Sequence, residues 1–430
     1  MEILIDLDGT LTDTAHESFK PFKDGLKETD VGSIPLIKGA VEFIKRLRTE
    51  GHNPIIVSDS HTKYVSKISE QLFNCHYISL TDKPNVSKVK DYLIKKHQII
   101  GSNYPNIETD KDKFIVIGDT WLDIELGRAL NVPTILTNLY TSTGEDIRDG
   151  IGQEWKQLKS GATFHVSKYE DVFSILSNPL QNLLAVEAVF QGFSTIQSVK
   201  YRTVKTHERF IAYRSLGRQQ NGECDKYAVA DKYFEFQRED RSKETMLKLA
   251  TATSSYMSYV QKILPNETWD YFTFVSDKKT TQPPNKLTEL FELVETTLVK
   301  KRMILWSDEM EGSIKNQKDY YSRVEFVKKH IALTPDVELH GKSIIILDDQ
   351  FTTGATAFSI CNKFIEKGAK NILFLTLFNL ITTVASERAC PNCGTKLQVK
   401  VNRKNGNRFI GCIPQKFGGT GCGNYIQNVQ

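Results

Sequence analysis

The sequence predicts an α/β protein with two Rossmann-like domains built on parallel sheets, followed by a small β ribbon. Two observations carry the prediction of the sheets. Short, wholly apolar segments alternate with amphipathic ones, and several apolar segments end in acidic residues. Continuous apolar runs are typical of strands buried on both faces of a parallel sheet, and open α/β sheets bind ligands at the carboxyl ends of their strands. The ribbon is predicted by four cysteines in the last part of the sequence.

Length and composition are those of an ordinary globular protein. The 430 residues are 40% hydrophobic and 25% charged, and this length suggests roughly two to four domains. We expect an α/β domain at residues 1–175, a linker or hood at 176–265, a second α/β domain at 266–388 and the ribbon at 389–430. The net charge of +4 is too small to indicate a nucleic-acid partner by itself.

The sequence shows no sign of a membrane or secreted protein. No apolar run reaches the length of about 18 residues expected of a transmembrane helix, and the N-terminal residues lack the basic stretch of a signal peptide. Of the seven cysteines, three are scattered and four are clustered. This pattern is typical of a metal site in a reducing compartment rather than of a disulfide framework. We therefore expect a cytoplasmic protein.

Acidic residues at the ends of apolar strands indicate the chemistry of the first domain. The first strand ends in Asp6 and Asp8, which can both face one ion if the chain turns at Gly9. A later strand ends in a second acidic pair, Asp119 and Asp123. Carboxylate oxygens that converge in this way are the ligands Mg²⁺ prefers, with a substrate phosphate completing its shell. The alternative is a set of solvated acids at strand ends.

Together with Ser58 at the end of a third strand, these segments resemble, in order, the motifs of the haloacid dehalogenase (HAD) phosphatase superfamily. The resemblance implies that Asp6 is the nucleophile that forms an aspartyl-phosphate and that Asp8 is the general acid and base. It implies that Ser58 hydrogen-bonds the transferring phosphoryl group, and that Lys83 offsets the charge of the phosphate and of Asp6. Lys88 remains the alternative to Lys83, because spacing alone does not choose between them.

The resemblance also implies a magnesium site. Four carboxylates are its expected ligands and supports: Asp6, Asp8, Asp119 and Asp123. The intervals between the motifs, 49 residues from Asp8 to Ser58 and 24 from Ser58 to Lys83, are too short for a cap domain. We therefore expect an open site that suits a large substrate, or one enclosed by a neighbouring domain or subunit.

The second α/β domain is predicted from the segment Ser343–Thr356. Ile344–Leu347 is expected to form a buried strand with Asp348 and Asp349 at its carboxyl end. The following residues, mostly threonines and small side chains, lead into a helix. Backbone N–H groups and the positive end of that helix can bind a phosphate there. An ordinary strand–turn–helix connection is the alternative.

This segment resembles the PRPP-binding motif of type I phosphoribosyltransferases. The resemblance implies that Asp348 and Asp349 bind the ribose hydroxyls of PRPP. It assigns the 5′-phosphate to a loop of five residues: Thr352, Thr353, Gly354, Ala355 and Thr356. The reaction implied is displacement of pyrophosphate at the ribose C1 by a base or nucleotide-like acceptor, with Mg²⁺ and basic groups offsetting the departing charge. No residue of the hood is assigned to the acceptor.

Two further parts of this resemblance concern loops. Lys278 and Lys279 follow a predicted strand and resemble the pyrophosphate loop of the family, although an exposed hairpin with two solvated lysines would have the same pattern. Ser322 and Arg323 lie in a polar segment similar to a loop of ComF-like phosphoribosyltransferases. In that family a mobile loop closes over PRPP and excludes water.

The C-terminal segment resembles the zinc ribbons of bacterial type I DNA topoisomerases. Its four predicted ligands are Cys390, Cys393, Cys412 and Cys422. Strands are expected at Lys396–Val401 and Arg408–Ile410, on either side of a turn at Asn405 and Gly406. One interpretation is a structural zinc clip. The other is contact with nucleic acid through a basic and aromatic group: Arg403, Lys404, Arg408 and Phe409.

The interpretation of the whole chain is a bifunctional enzyme of nucleotide metabolism, combining a HAD hydrolase with a PRPP-dependent glycosyltransferase. The first alternative is a nucleic-acid-associated phosphatase, with a role in end processing or in defence or stress, whose PRPP fold senses nucleotides. The second alternative is a regulator whose PRPP fold binds its ligand without chemistry. The sequence specifies neither the acceptor base nor the phosphatase substrate.

Overall fold

The described residues form two large sheets, a two-stranded sheet and a three-stranded sheet. The computed structural model describes residues 1–14, 16–139, 160–199, 203–220, 225–238, 240–261, 268–276, 286–307, 314–317, 320–381, 398–401, 408–412 and 426–428. Both large sheets are parallel except for one edge pair, and this confirms the predicted α/β class. In the described part of the chain, no helix combines the length and apolar composition that a membrane crossing requires.

Six strands build the first sheet: β1 (Glu2–Ile5), β2 (Asn53–Val57), β3 (His76–Ile78), β4 (Phe114–Gly118), β5 (Thr134–Thr137) and β6 (Phe164–Val166). All neighbours are parallel, and the order across the sheet is β3–β2–β1–β4–β5–β6. The chain builds outward from β1 to β3 and then returns to add β4 on the other side of β1. Such a reversal opens a crevice at the carboxyl ends of β1 and β4, where sheets of this kind bind ligands.

Helices cover both faces of this sheet. They are α1 (Lys20–Lys23), α2 (Ala40–Thr49), α3 (Thr62–Ile68), α4 (Ser87–Ile100), α5 (Trp121–Leu130) and α6 (Tyr169–Ser177). On one face α2, α3 and α6 pack through side chains such as Phe43, Tyr64 and Phe173. On the other face α4 and α5 pack through Leu93 and Leu126. Because helices cover both faces, β1 and β4 are buried along their whole length, as their apolar sequences predict.

The next nine strands are β7 (Thr203–Lys205), β8 (Phe210–Ser215), β9 (Arg218–Gln220), β10 (Tyr271–Phe274), β11 (Val299–Lys300), β12 (Ile304–Trp306), β13 (Ile331–Leu333), β14 (Ser343–Phe351) and β15 (Asn371–Ile381). Seven of them form the second sheet, in the order β11–β10–β14–β15–β8–β7, with β9 pairing to β15 beyond the end of β8. Only the β7–β8 pair of this sheet is antiparallel, and β12 and β13 form a separate antiparallel pair. Since β7, β8 and β9 come from the segment expected to be a linker or hood, that segment contributes to the sheet of the following domain.

The helices of this part are α7 (Ala185–Phe190), α8 (Ala230–Gln237), α9 (Lys243–Val260), α10 (Lys286–Leu293), α11 (Tyr320–His330) and α12 (Ala355–Glu366). One face of the second sheet packs on α7, α9 and α10 through residues such as Met257 and Leu290. The other face packs on α11 and α12 through residues such as Val327 and Ile360.

The predicted end of β14 is wrong. The strand was expected to stop at Leu347, before the acidic pair, but it continues to Phe351. Gln350 and Phe351 still pair with Phe378 and Asn379 of the long neighbouring strand β15. This pairing keeps the polar residues extended, so Asp348 and Asp349 lie within the carboxyl-terminal half of β14 rather than beyond it.

The loop predicted at Ser322 and Arg323 is also wrong, because both residues lie in the first turn of α11. This segment is helical because Val324 and Val327 on one side of α11 are buried, and Val327 belongs to the same core as α12. The hydroxyl of Ser359 in α12 donates to the carbonyl of Val324 at 3.3 Å. The polar sequence therefore marks the exposed side of a packed helix.

A buried ion-pair network joins the two large sheets. Arg218 in β9 donates to Glu187 and to Asp225 at 2.7 and 2.9 Å, and all three side chains are at most 2% exposed. The same guanidinium donates to the carbonyl of Gly161, next to β6, at 2.9 Å. A β-carbon at Gly161 would lie 2.6 Å from Ile381 at the end of β15, so the contact between the domains is close.

The last described segments form a three-stranded antiparallel sheet of β16 (Gln398–Val401), β17 (Arg408–Gly411) and β18 (Ile426–Asn428). The two predicted strands are confirmed, and the third was not predicted. Cys412 directly follows β17 and is buried. The other predicted residues of this segment, apart from Arg408 and Phe409 in β17, lie outside the described residues: Cys390, Cys393, Arg403, Lys404, Asn405, Gly406 and Cys422.

Candidate active site

Asp6 and Asp119 meet in the crevice between β1 and β4. Asp6 follows β1, and Asp119 follows β4, its neighbour in the sheet. The loop after β1 turns at Gly9, whose φ is 87°, and a β-carbon there would lie 2.3 Å from Oδ2 of Asp119. The hydroxyl of Thr10 donates to Oδ1 of Asp119 at 3.1 Å. The two predicted strand ends therefore form one site, and glycine is needed at the turn because any side chain would displace Asp119.

Lys83 links the two acidic pairs. Its Nζ donates to Oδ1 of Asp6 and to Oδ1 of Asp123, each at 2.5 Å, and all three side chains are buried. Lys88, the alternative from the sequence, instead donates to the carbonyl of Leu80. The structure therefore places Lys83, and not Lys88, against the predicted nucleophile.

Ser58 and Asp59, directly after β2, bind the loop that carries this lysine, and the carbonyl of Ser58 accepts from the backbone N–H of Thr81 at 3.3 Å. Ser58 is buried at the end of β2, where its hydroxyl accepts from the backbone N–H of Ser60 at 3.1 Å. Asp59 accepts from the hydroxyl of Thr81 at 2.6 Å and from the backbone N–H of Lys83 at 2.8 Å. Asp59 received no role in the sequence analysis, although its position beside Ser58 at a strand end is a signal that could have identified it.

The carboxylates of Asp6, Asp119 and Asp123 form a buried cluster whose ligand atoms lie within 4.8 Å of one another. Burial raises the pKa of Asp6 well above its ordinary value, and the charge of Asp123 raises it further. Burial and the charge of Asp123 also raise the pKa of Asp119 to about 7. Burial works to lower the pKa of Lys83, but Asp123 and Asp6 together raise it well above its ordinary value. Full ionisation of these three carboxyls would therefore need more positive charge than Lys83 supplies to them.

A divalent cation fits this cluster. Buried carboxylates that repel one another are stabilised by a cation with oxygen preference, such as Mg²⁺. Asp6 and Asp119 would hold it. Both oxygens of Asp123 are engaged, Oδ1 by Lys83 and Oδ2 by the N–H and hydroxyl of Thr120 at 3.0 and 2.7 Å. Asp123 therefore orients Lys83.

Asp8 lies outside this cluster, so only three of the four carboxylates predicted for the metal come together. Oδ1 of Asp8 accepts from the hydroxyls of Thr14 and Tyr64 at 2.6 and 2.9 Å. Oδ2 accepts from the hydroxyl of Ser60 at 2.9 Å. The spacing of Asp6 and Asp8 allowed both to face one ion, but hydroxyls from α3, from the β2–α3 connection and from the segment between β1 and α1 bind Asp8 instead.

The acidic pair of β14, Asp348 and Asp349, is asymmetric. Asp348 is buried and accepts from the backbone N–H of Asp349 at 2.9 Å. Oδ2 of Asp349 accepts from Nζ of Lys286 and from Nε2 of Gln237, the latter at 3.1 Å. Burial and the charge of Asp349 raise the pKa of Asp348 well above its ordinary value. Burial works to raise the pKa of Asp349 as well, but Lys286 and Gln237 hold it below its ordinary value. Asp349 is therefore the ionised member of the pair.

Sequence reasoning missed the polar residues around this pair. Lys286 is the first residue of α10 and also donates to Oε1 of Gln237, the last residue of α8. One turn earlier in α8, the hydroxyl of Tyr233 donates to Oε1 of Gln350 at 3.2 Å. Gln350 in turn donates to Oε1 of Gln219 at 2.6 Å. The i, i+4 spacing of Tyr233 and Gln237 indicates a shared helix face, but only the fold shows that this face meets β14.

The predicted phosphate loop connects β14 to α12. Gly354 precedes the helix with a φ of 82°, and a β-carbon there would lie 2.8 Å from the ring of Phe351. The hydroxyl of Thr353 accepts from the N–H of Ala355 at 3.4 Å. Thr352–Gly354 therefore have the tight turn into a helix N-terminus that the sequence predicts, whereas Thr356 lies inside the helix.

Four further residues are predicted to bind PRPP: Lys278, Lys279, Ser322 and Arg323. Ser322 and Arg323 lie in the first turn of α11, which packs on α12, and Nε of Arg323 donates to the carbonyl of Gln317 at 3.3 Å. Lys278 and Lys279 lie outside the described residues.

Comparisons with known proteins find similar solved structures only. No protein-family model matches this chain, and no curated protein matches it. A hydrolase from Pseudomonas syringae is 19% identical over 41% of this chain and 98% of that chain, with a TM-score of 0.29. A HAD family hydrolase from Deinococcus radiodurans R1, solved with phosphate and sodium, is 15% identical over 41% and 94%, with a TM-score of 0.30. A HAD-superfamily hydrolase from Ehrlichia chaffeensis is 17% identical over 34% and 91%, with a TM-score of 0.24.

Proposed function

We propose that the first domain is a Mg²⁺-dependent phosphatase of the HAD type that forms an aspartyl-phosphate on Asp6. The observation that carries this proposal is the buried cluster at the switch point of the first sheet. There the carboxylate of Asp6 is bound by Lys83 and lies within 4.8 Å of two further carboxylates. A phosphoryl group is attacked most readily where fixed positive charge offsets its oxygens, and this site provides Lys83 and an acidic cluster that fits a divalent cation.

The two steps of the reaction use Asp6 and Asp8. An oxygen of Asp6 attacks the phosphorus of a phosphate monoester, and the bond to the leaving-group oxygen breaks. The electron pair of that bond stays on the leaving-group oxygen, which takes a proton from Asp8. Water then attacks the phosphorus, gives a proton to Asp8, and breaks the bond to Asp6, so that inorganic phosphate leaves. When bound, Mg²⁺ would supply positive charge at the phosphoryl oxygens.

The test is phosphate release from a panel of nucleoside monophosphates in the presence of Mg²⁺. Asp6→Asn keeps the size of the side chain and removes the nucleophile, so we expect no release above background. Asp91→Asn, an exposed residue of α4, is the matched control and should retain wild-type activity. Release by Asp6→Asn at the wild-type rate would show that the assignment is wrong.

We further propose that the second domain binds PRPP and transfers its phosphoribosyl group to a base-like acceptor. The observation in favour is that Asp349, held ionised by Lys286, lies close in sequence to the turn at Thr352–Gly354 and the N-terminus of α12. This arrangement offers an anion for sugar hydroxyls and backbone donors for a phosphate. The purified protein, given Mg²⁺, PRPP and a panel of bases, should release pyrophosphate. PRPP binding without release would favour a sensor or regulator.

The two activities would form one sequence if the phosphatase removes the 5′-phosphate of a nucleotide that the transferase makes. Dephosphorylation would withdraw that nucleotide from a reversible step. Time courses with PRPP and an accepted base should then show pyrophosphate first and inorganic phosphate later. In Asp6→Asn protein the nucleotide monophosphate should accumulate.

For the C-terminal sheet we propose a zinc ribbon with four ligands: Cys390, Cys393, Cys412 and Cys422. The support is that Cys412 is buried directly after β17 of an antiparallel sheet, since structural zinc sites are closed and use thiolates. Metal analysis of the purified protein should find one zinc per chain. A titration with DNA and RNA at two salt concentrations would test the alternative of nucleic-acid binding, which weakens as salt rises.

A further inference from the structure

We propose that Tyr64 and Thr14 are positioning residues for Asp8. They orient its carboxyl group so that Oδ2, and not Oδ1, donates the proton to the leaving group. This inference rests on the phosphatase function proposed above. It assigns roles to two side chains outside the acidic motifs. It also predicts which phosphate esters depend on these two side chains and which do not.

The two oxygens of Asp8 have different surroundings. Oδ1 accepts from two hydroxyls, Thr14 at 2.6 Å and Tyr64 at 2.9 Å, and both of these side chains are completely buried. Oδ2 accepts from the hydroxyl of Ser60 at 2.9 Å, and Ser60 is partly exposed. Oδ1 therefore points into the protein, and Oδ2 is the oxygen on the accessible side.

The hydrogen-bond geometry also limits where a proton can sit. A hydroxyl carries one hydrogen and a carboxylate oxygen has two lone pairs. Thr14 and Tyr64 together fill both lone pairs of Oδ1. The hydroxyls of Thr14 and Thr12 lie 2.6 Å apart, and the single hydrogen of Thr14 is donated to Asp8, so Thr12 is the donor of this pair although its hydroxyl also lies 3.1 Å from the carbonyl of Leu7. A proton carried by Asp8 is therefore placed on Oδ2.

Tyr64 is a rigid anchor for this arrangement. It lies in α3, and its ring packs in the core on one face of the first sheet with Val65 and Ile68 of the same helix. Its hydroxyl is 2.9 Å from Asp8 and 3.1 Å from Thr14. A tyrosine so packed cannot follow Asp8 if that side chain rotates, so the carboxyl group is held in one orientation.

The chemical consequence concerns the leaving group. When Asp6 attacks phosphorus and the ester bond breaks, the ester oxygen keeps the electron pair and takes the Oδ2 proton, so Asp8 ends as a carboxylate. A phenol or an alcohol needs this proton at the transition state. The 4-nitrophenolate anion leaves without it, because its charge is delocalised. Misplacement of Asp8 should therefore slow the attack of Asp6 on esters of phenol and of alcohols. The attack on 4-nitrophenyl phosphate should be nearly unaffected.

The experiment compares phenyl phosphate with 4-nitrophenyl phosphate in the presence of Mg²⁺, since the two esters have nearly the same shape. We expect Tyr64→Phe to lower kcat/KM for phenyl phosphate by about tenfold or more, within the range of general acid catalysis, and to change kcat/KM for 4-nitrophenyl phosphate by less than about threefold. Hydrolysis of the aspartyl-phosphate also uses Asp8, but it is common to both esters and does not enter kcat/KM. Thr14→Val should show the same difference between the esters, and Thr14→Ser, which restores a hydroxyl, should remove it. Tyr92→Phe, a tyrosine of α4 outside the site, is the control.

The outcomes separate this inference from the function on which it rests. An equal loss of kcat/KM on both esters in Tyr64→Phe and Thr14→Val would show a merely structural role and overturn the inference, as would full activity of both variants on both esters. In each case the phosphatase function would stand. If the wild-type protein releases phosphate neither from these esters nor from any of the nucleoside monophosphates, the proposed function fails and the inference fails with it.

Discussion

Nζ of Lys83 lies 2.5 Å from Oδ1 of Asp6, and both side chains are buried at the carboxyl end of the first sheet. The same nitrogen is 2.5 Å from Asp123, which follows β4. One lysine, delivered by a loop that Asp59 fixes, therefore joins the ends of the two central strands. In this buried site the charge of Lys83 offsets part of the mutual repulsion of the carboxylates, and the contact also holds Asp6, the proposed nucleophile, in place.

The first prediction concerns this lysine. Lys83→Met keeps most of the volume of the side chain and removes the charge, so Asp6 loses its hydrogen-bond donor and the phosphoryl group loses a fixed positive charge. We expect kcat/KM for 4-nitrophenyl phosphate to fall by about 100-fold or more. The measurement is initial rate at saturating Mg²⁺.

Lys88→Met is the matched control for this prediction, because Lys88 bonds only to the carbonyl of Leu80 among the contacts described. Its activity should stay within about threefold of wild type. If Lys88→Met loses activity and Lys83→Met does not, the roles of the two lysines are reversed.

The sequence predicts which residues stand at strand ends better than it predicts what they meet. Asp6 and Asp119 could be placed in one crevice because their strands are continuous apolar runs and parallel strands end at the same edge of a sheet. The choice of Lys83 over Lys88 depends on the path of a loop, which spacing does not determine. Tyr64 reaches Asp8 only because α3 packs back onto the first sheet, a long-range contact that no local pattern contains.

The same limit applies to the acidic pair of β14. Asp348 and Asp349 are recognisable next to a threonine-rich turn, but Lys286 and Gln237 reach Asp349 from two helices distant in the sequence. The predicted end of β14 is wrong because the prediction assumes that polar residues end a strand. The position of the strand end depends instead on pairing with β15, since Gln350 and Phe351 still have partners there.

The second prediction concerns the metal. After treatment with EDTA, wild-type protein should gain thermal stability when Mg²⁺ is added, because binding to the folded state stabilises it. Asp119→Asn removes one of three mutually repelling buried carboxylates. The metal-free variant should therefore melt about 2 °C or more above metal-free wild type, and should gain much less from Mg²⁺.

Differential scanning fluorimetry over a range of MgCl₂ concentrations measures both effects. Glu170→Gln, an exposed residue of α6, serves as the control and should follow wild type at every concentration. A wild-type melting temperature that does not respond to Mg²⁺ would contradict the proposed metal site.

The third prediction concerns pH and the network that joins the domains. Arg218 supplies one positive charge to two buried carboxylates, Glu187 and Asp225. Burial, only partly opposed by Arg218, raises the pKa of Glu187 from 4.5 to about 7. A carboxyl whose pKa is higher in the folded state binds its proton more tightly there. Its stabilising contribution is therefore complete below about pH 4.5 and is lost as the pH rises through about 7.

Glu187→Gln removes this titration and keeps a hydrogen-bonding side chain of the same size for Arg218. Relative to wild type, the variant should gain stability as the pH rises from 5 to 8, by an amount on the order of 2 kcal/mol. Urea unfolding at both pH values gives the difference. A stability difference that stays constant with pH would show that Glu187 is ionised in the folded protein throughout this range.

The fourth prediction distinguishes the two acids of β14 by their ionisation. Asp349 is held ionised by Lys286, whereas burial and the charge of Asp349 raise the pKa of Asp348 well above its ordinary value. If the sugar hydroxyls of PRPP donate to the ionised acid, Asp349→Asn should weaken PRPP binding by about tenfold or more, equivalent to about 1.4 kcal/mol. Asp348→Asn leaves the ionised acid in place and keeps the shape of the side chain, so it should weaken binding by less than about threefold. Isothermal titration calorimetry with Mg²⁺ and PRPP measures both constants, with the exposed Asp336→Asn as control. Equal losses in the two variants would mean that both acids are ionised when PRPP binds, and that Lys286 does not select between them.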